Sequence, residues 1–288
     1  MAERQTLARE VSVQGITLHA GVPSRLRLLP APSNNGIVFR RTDLNGSAPI
    51  PALWSNVAET RLGTVLRGED GATVAVVEHL MASLAGAEID DCFVELEGPE
   101  PPLLDGDALS YLVLIERGGK TANGKRDVIN VNRTVEVSSA SASARLLPSA
   151  RSEFYFEIDF PTAVIGQQEF FSPFDRETFR REIAPARTFG FLNEAEQLRS
   201  AGYGRGADLT NTLVIDGDKL LNPELQRFPD EFVRHKILDA VGDMKLAGYP
   251  VVARFEGRKS SHALNNQLLR ALFADSANYR IGAAKGSP

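Results

Sequence analysis

Short runs of alternating apolar and polar residues open the chain. VSVQGITL (11–18) and SRLRLLPAP (24–32) precede a turn at Ser33–Gly36, and IVFRR follows (37–41). The same texture returns later in VINVNRTVEVSS (128–139), ARLLPS (144–149) and EFYFEIDF (153–160). A period of two predicts half-buried strands in both places. Between them lies GGKTANGKRD (118–127), polar and rich in glycine, the best candidate for a linker. It divides the chain into units 1–120 and 126–288. Segments of helical period follow the strands in each unit. VEHLMASLAG (77–86) aligns without gaps on VRHKILDAVG (233–242), matching Val77 with Val233, His79 with His235, Met81 with Ile237 and Gly86 with Gly242. A strand-like segment ending in Glu-Gly follows each, DCFVELEG (91–98) and PVVARFEG (250–257). The pattern predicts an internal duplication. Two similar units packed face to face would bring His79 and His235 together at their interface, where ligand sites often form.

The helix VRHKILDAVGDMKLAG (233–248) carries two stripes. At 100° per residue, Val233, Ile237, Leu238, Val241 and Met244 share an arc of about 140°, the core face. His235, Asp239 and Asp243 share another arc of about 80°, with Lys236 at its edge. An ordinary solvated face is the plain alternative. Such faces usually carry charges of opposite sign, whereas two aspartates at i,i+4 repel by a few tenths of a kcal/mol. A cation held beside the histidine reverses that sign.

Composition narrows the setting. The 288 residues are 43% hydrophobic and 24% charged, normal for a globular protein with an ample core. The net charge is −5 and no Lys/Arg run stands out, so a nucleic-acid role lacks electrostatic support. A single cysteine, Cys92, rules out intramolecular disulfides and fits a reducing, cytoplasmic setting. The N-terminal residues lack an apolar h-region, so no signal peptide is expected. With no run of 18 apolar residues, no transmembrane segment is expected either, although transient contact with a membrane surface stays open. A monomer is the expected form.

The chemistry concentrates on few residues. An open zinc site needs three protein ligands. His235 and Asp239 at i,i+4 supply two from one helix face, and the duplicated helix supplies His79 as the third. Glu78 stands next to His79, the usual position for a general base acting on a metal-bound water. Of the four histidines, His262 lies in KSSHALNN (259–266), a polar loop leading into a helix. It reads either as a capping or surface residue or as an acid protonating a leaving group.

At this point the residues carry a resemblance. VEHLMASLAG, ARTFGFL (186–192), FVRHKILDAVGD (232–243), SSHALNN (260–266), GITLHAG (15–21), FRRTDL (39–44) and PPLLDGDA (101–108) together are similar to the zinc-dependent UDP-3-O-acyl-N-acetylglucosamine deacetylases of lipid A synthesis. The similarity runs from about residue 5 to about residue 270, and its specificity lies in several motifs in the right order. It implies an α+β fold of two similar domains, each a β-sheet layered against helices, with the active site between them. It implies zinc, or alternatively Fe2+, on His79, His235 and Asp239, with Glu78 as base, His262 as acid and Asp243 supporting that acid. Thr188 matches the hydroxyl that stabilises the oxyanion. Lys236 matches a lysine facing the sugar nucleotide, Phe160 a ring stacking on uridine and Phe189 a ring near the glucosamine. Leu18, Leu192, Leu209 and Val214 fall where the family forms its acyl-chain passage, and each reads equally well as ordinary core. The implied substrate is an acylated UDP-amino sugar, the products acetate and the free amine.

The chain departs from the family pattern in places. Val76 stands where threonine is frequent and Gly63 where some members have cysteine. Ala207 and Asp208 replace a usual Gly-Ser, and PTAVIGQQ (161–168) lacks a histidine that often follows the proline. The carboxylate of Asp208 bears on acyl preference, but none of these positions touches the metal set. Two rival readings remain: a paralogue deacetylating another acylated amino sugar, and a non-catalytic protein that kept the fold. Intact Glu78 and His262 weigh against the second, since a purely structural metal site needs neither.

Overall fold

The alternating segments pair into sheets. The structure, a computed structural model, describes residues 3–283. In the first half β1 (Val11–Ile16), β2 (Pro23–Leu29), β3 (Ile37–Arg41) and β4 (Ile50–Pro51) are followed by α1 (Glu78–Gly86), β5 (Cys92–Glu97) and α2 (Leu109–Gly118). In the second, β6 (Val135–Ser139), β7 (Ala142–Leu147), β8 (Glu153–Asp159) and β9 (Gln167–Pro173) are followed by α3 (Glu231–Lys245), β10 (Arg254–Arg258) and α4 (His262–Ala274). The strand orders are β1-β2-β5-β3-β4 and β6-β7-β10-β8-β9, the same arrangement twice. In each sheet the last strand enters the middle, antiparallel to the second and parallel to the third. A parallel neighbour requires a crossover, and α1 and α3 lie on those two crossovers. The duplication expected from one helix–strand match therefore extends to the whole topology of an α+β fold.

Alternation decides which face is buried. Leu26 and Leu28 of β2 are fully buried while the intervening Arg25 and Arg27 are not. Phe154, Phe156 and Ile158 of β8 repeat the pattern. The inward faces join α1 and α3 in one apolar cluster that includes Leu80, Met81, Leu84, Ile237, Leu238 and Val241. The two crossover helices pack on each other at close range. A Cβ placed on Gly242 of α3 would lie 2.1 Å from the carbonyl oxygen of Glu78, so glycine is what lets the backbones touch.

Between β9 and α3 the second half carries an insertion, with strands Phe189–Phe191 and Leu213–Asp216 pairing in parallel around the helix Leu192–Ser200. The DGD turn of PPLLDGDA fastens this insertion to the first half. Asp105 accepts from Arg227 at 2.8 Å, Asp107 also pairs with Arg227, and the Thr188 N–H donates to the Gly106 carbonyl at 2.8 Å. The polar segment read as a linker is partly a strand. Lys120–Lys125 pairs antiparallel with Glu3–Leu7. Nearly every residue of that ribbon strand is exposed, so neither face carries an apolar signal. Among the described residues, no helix is long and apolar enough to cross a membrane.

Candidate active site

The N-terminal turn of α1 brings Glu78 and His79 against the middle of α3. Although α3 is polar along one stripe, His235, Asp239 and Asp243 are all buried, because α1 and α4 cover that stripe. A solvated face is thereby excluded. The His79 and His235 rings meet edge to face with centroids 5.0 Å apart. Asp239 Oδ1 lies 3.4 Å from His235 Nε2 and 3.7 Å from His79 Nε2. One ligand atom from each of the three residues falls within 4.8 Å of the others.

The donor set suits a divalent cation. The Nδ1 of His235 lies 3.1 Å from the Ala186 carbonyl, which makes that nitrogen the N–H donor and leaves Nε2 as a lone pair aimed at Asp239. Burial holds His235 below its ordinary pKa and pushes His79 down to about 3. Both imidazoles are neutral, as ligands must be. For Asp239 burial alone favours the neutral acid, but the charges of Lys236 and His262 outweigh it and keep the carboxylate ionised. Lys236 Nζ donates to Asp239 Oδ2 at 2.6 Å. Two neutral imidazoles and one carboxylate form the donor set of an open metal site.

A second cluster adjoins the first. Glu78, Asp239 and His262 form an overlapping group, with His262 Nε2 3.9 Å from both Glu78 Oε1 and Asp239 Oδ2. The other ring nitrogen, Nδ1, donates to Asp243 Oδ2 at 2.8 Å. Burial raises the Glu78 carboxyl to about 7 despite His262, with Asp239 and Asp243 adding to the rise. Burial opposes charge on His262, yet Asp243 and Glu78 prevail and lift it to about 9. A carboxyl and an imidazolium with pKa values displaced toward and above neutrality face one space, the pattern of an acid–base pair. His262 is the first residue of α4, whose N-cap is Ser261, accepting from the Leu264 N–H at 3.4 Å. Capping therefore belongs to Ser261 and frees His262 to point inward.

Strain precedes three of the motifs. Val76, Leu104 and Lys259 adopt positive φ values of 55°, 55° and 49°, immediately before VEH, DGD and SSH. A β-branched residue in this region is costly, on the order of 1–3 kcal/mol, and such strain gathers at functional sites.

Of the remaining sequence-derived residues, two aromatic rings connect to this centre. Phe189 stands 6.2 Å from the His235 ring and 5.8 Å from Phe160, centroid to centroid. Thr188 adjoins Ala186 and Arg187 in the same turn and abuts Gly106. None of the four positions matched to an acyl passage by resemblance is core. Leu192 and Leu209 are 43% and 50% exposed, and Leu18 and Val214 are half-buried. The Leu18 carbonyl accepts from the Gly206 N–H at 3.0 Å, so the first-half loop meets the insertion there. Asp208 is engaged locally, accepting from the Thr210 N–H at 2.7 Å and hydroxyl at 2.6 Å. Sequence reasoning missed Thr64 and Asn265, both bonded to Asp243. Thr64 directly follows Gly63, and Asn265 lies in SSHALNN three residues after His262.

Two neutral imidazoles, a carboxylate and an adjacent acid–base pair on paired α+β units define a metal-dependent hydrolase. A family model described as UDP-3-O-acyl N-acetylglycosamine deacetylase matches residues 4–274. A protein of Myxococcus xanthus named UDP-3-O-acyl-N-acetylglucosamine deacetylase is 44% identical over 98% of this chain and 90% of its own. Proteins of the same name from Phenylobacterium zucineum and Brucella melitensis biotype 2 are 45% and 42% identical, over 93% and 97% of this chain and 92% and 98% of theirs. The chain belongs to the UDP-3-O-acyl N-acetylglycosamine deacetylase family.

Proposed function

We propose that the chain hydrolyses the N-acetyl amide of UDP-3-O-acyl-N-acetylglucosamine, releasing acetate and the free amine in an early step of lipid A synthesis. The observation carrying this reading is the convergence of His79, His235 and Asp239 beside the Glu78–His262 pair. His79, His235 and Asp239 hold the ion, zinc with Fe2+ as the alternative. Bound there, it supplies a Lewis acid that polarises the amide carbonyl and acidifies water. Glu78 accepts the proton of the attacking water, a task suited to a carboxylate whose pKa sits near neutrality. The Thr188 hydroxyl donates to the oxygen on which negative charge develops. His262, held as imidazolium by Asp243, donates from Nε2 to the departing amine nitrogen. The amine then leaves as a neutral group, and the carbonyl carbon ends as acetate.

Substrate recognition follows from the surrounding side chains. Lys236 offers positive charge to an anionic sugar nucleotide in an otherwise acidic protein. Phe160 gives uridine a stacking face, and Phe189 lies against the glucosamine. Leu18, Leu192, Leu209 and Val214 form an apolar path for the acyl chain, and their incomplete burial supports it over a core role. The turn at Asp208 engages Oδ1 with the Thr210 N–H and hydroxyl. In this reading the protein works as a cytoplasmic monomer of two domains, 1–120 and 126–288, with the Lys120–Lys125 ribbon tying the boundary to the first. The test is acetate release from UDP-3-O-acyl-N-acetylglucosamine beside UDP-N-acetylglucosamine lacking the acyl chain. Turnover that strongly favours the acylated compound is expected. Equal turnover, or none with either, overturns the reading.

A further inference from the structure

Thr64 touches both arms of the acid–base pair. It is 1% exposed and belongs to TRLGTVL, before α1. Its backbone N–H donates to Glu78 Oε2 at 2.9 Å. Its hydroxyl donates to Asp243 Oδ1 at 2.6 Å, and the same oxygen lies 3.4 Å from His262 Nδ1. The other oxygen of Asp243 accepts from His262 Nδ1 and from Asn265 Nδ2, each at 2.8 Å. A threonine from the first half thus bonds the carboxylate of the first half through its backbone and that of the second half through its side chain.

We propose that Thr64 is a positioning residue that fixes the distance between the proton acceptor Glu78 and the proton donor His262, acting on the latter through Asp243. The proposal rests on the acid and base roles given above. The hydroxyl has one proton, and the short distance places it on Asp243, a charge-assisted bond in a closed, low-dielectric setting. With both Oδ atoms engaged, the Asp243 carboxylate cannot swing, and its Oδ2 holds the His262 ring with Nε2 toward Glu78. The loop carrying Thr64 is itself pinned. The Thr64 carbonyl accepts from the Val77 N–H at 3.3 Å, and His19 Nε2 contacts the Leu62 carbonyl at 2.8 Å. Gly63 packs directly on the base, since a Cβ there would lie 2.9 Å from Glu78 Oε1. The backbone bond to Glu78 is available to any non-proline residue, whereas the bond to Asp243 requires a hydroxyl at position 64.

The test compares Thr64→Val, which keeps shape and the backbone N–H, with Thr64→Ser, which keeps the hydroxyl. Both are measured as metal-loaded full-length protein on the acylated sugar nucleotide. Thr64→Val should lower kcat on the order of 10- to 100-fold, the usual range for a group orienting a functional side chain. KM and metal content should stay as in the parent, and Thr64→Ser should recover kcat to within a few-fold. In an Asp243→Ala background the Thr64→Val effect should shrink to about two-fold or less, because the hydroxyl then has nothing to hold. If Thr64→Val does not fold, Thr64→Ala takes its place in the same cycle. A Thr64→Val enzyme within two-fold of the parent overturns the proposal, as does an undiminished effect in the Asp243→Ala background. Glu78→Gln run alongside separates the two levels. An active Glu78→Gln enzyme removes the underlying acid–base reading, whereas an inactive one with a normal Thr64→Val enzyme removes this inference alone.

Discussion

Gly242→Ala probes the contact that sets the two halves in register. Two opposed effects meet at this position. Alanine gains about 1 kcal/mol of helix propensity over glycine. Its Cβ, however, would lie 2.1 Å from the Glu78 carbonyl oxygen, 2.8 Å from its carbonyl carbon and 2.9 Å from its Cα. These are backbone atoms and have no rotamer to change. Relief requires α1 and α3 to separate by more than about 1 Å, and overpacking of this kind costs about 1–3 kcal/mol. The net loss, about 0–2 kcal/mol, would lower the melting temperature by up to several degrees. The larger effect is on turnover. Glu78 and His79 begin α1 while His235, Asp239 and Asp243 ride on α3, so separation moves the base and one ligand away from the other two ligands. A misplacement of about 1 Å can cost about 100-fold in rate. Gly86→Ala is the matched control, being the duplicated position on α1. There the added Cβ meets the Phe179 ring at 2.1 Å, remote from the cluster, so stability should fall while kcat of the folded enzyme holds. Thermal melts and steady-state kinetics on the three proteins decide. A Gly242→Ala protein more stable than the parent with unchanged kcat would refute the close approach and the geometry built on it.

Other expectations follow from the same geometry. Glu78→Gln should keep its metal and lose on the order of 10²–10⁴ in turnover, read by acetate release. The pH–rate profile should be bell-shaped, with an acidic limb belonging to the Glu78, water and metal unit as a coupled system and a basic limb set largely by His262, whose pKa stands near 9. Asp243→Asn removes the charge that lifts His262 and should move the basic limb to lower pH while the metal stays bound; an unmoved limb would detach Asp243 from the acid. Burial depresses Lys245 from 10.5 to about 8, its Nζ donating to the Ile89 carbonyl. Between those values the unfolded chain binds the proton and the folded one does not, so this group makes stability rise with pH across that window. Lys245→Met should abolish the rise, seen by chemical denaturation near pH 8 and near pH 10.5; an identical pH dependence in both proteins would show that Lys245 is not the source.

Local periodicity carried much of the fold. The alternation in VSVQGITL and EFYFEIDF marked strands, and one gapless match between two helices disclosed the duplication that the sheet orders repeat in full. The stripe His235, Asp239, Asp243 was legible because one helix supplies all three at a fixed spacing. Whether that stripe met water or protein was not legible, since α1, which covers much of it, lies roughly 150 residues away in sequence. The same distance hid Thr64, whose hydroxyl reaches Asp243 across 179 residues. Lys120–Lys125 read as a linker because a ribbon exposed on both faces has no inward side to encode. For Leu18, Leu192, Leu209 and Val214, residue type alone could not tell core from surface, and their exposure shows only that they are not core.

The central claim is that two helices from the two halves share one ion beside an independent base. It is tested most directly by measuring bound metal per chain in the parent, His79→Ala, His235→Ala, Asp239→Ala and Glu78→Gln proteins, each confirmed as folded. The account predicts about one tightly held divalent ion in the parent and in Glu78→Gln, and its loss in the three ligand variants. Full metal retention in all three ligand variants would contradict it.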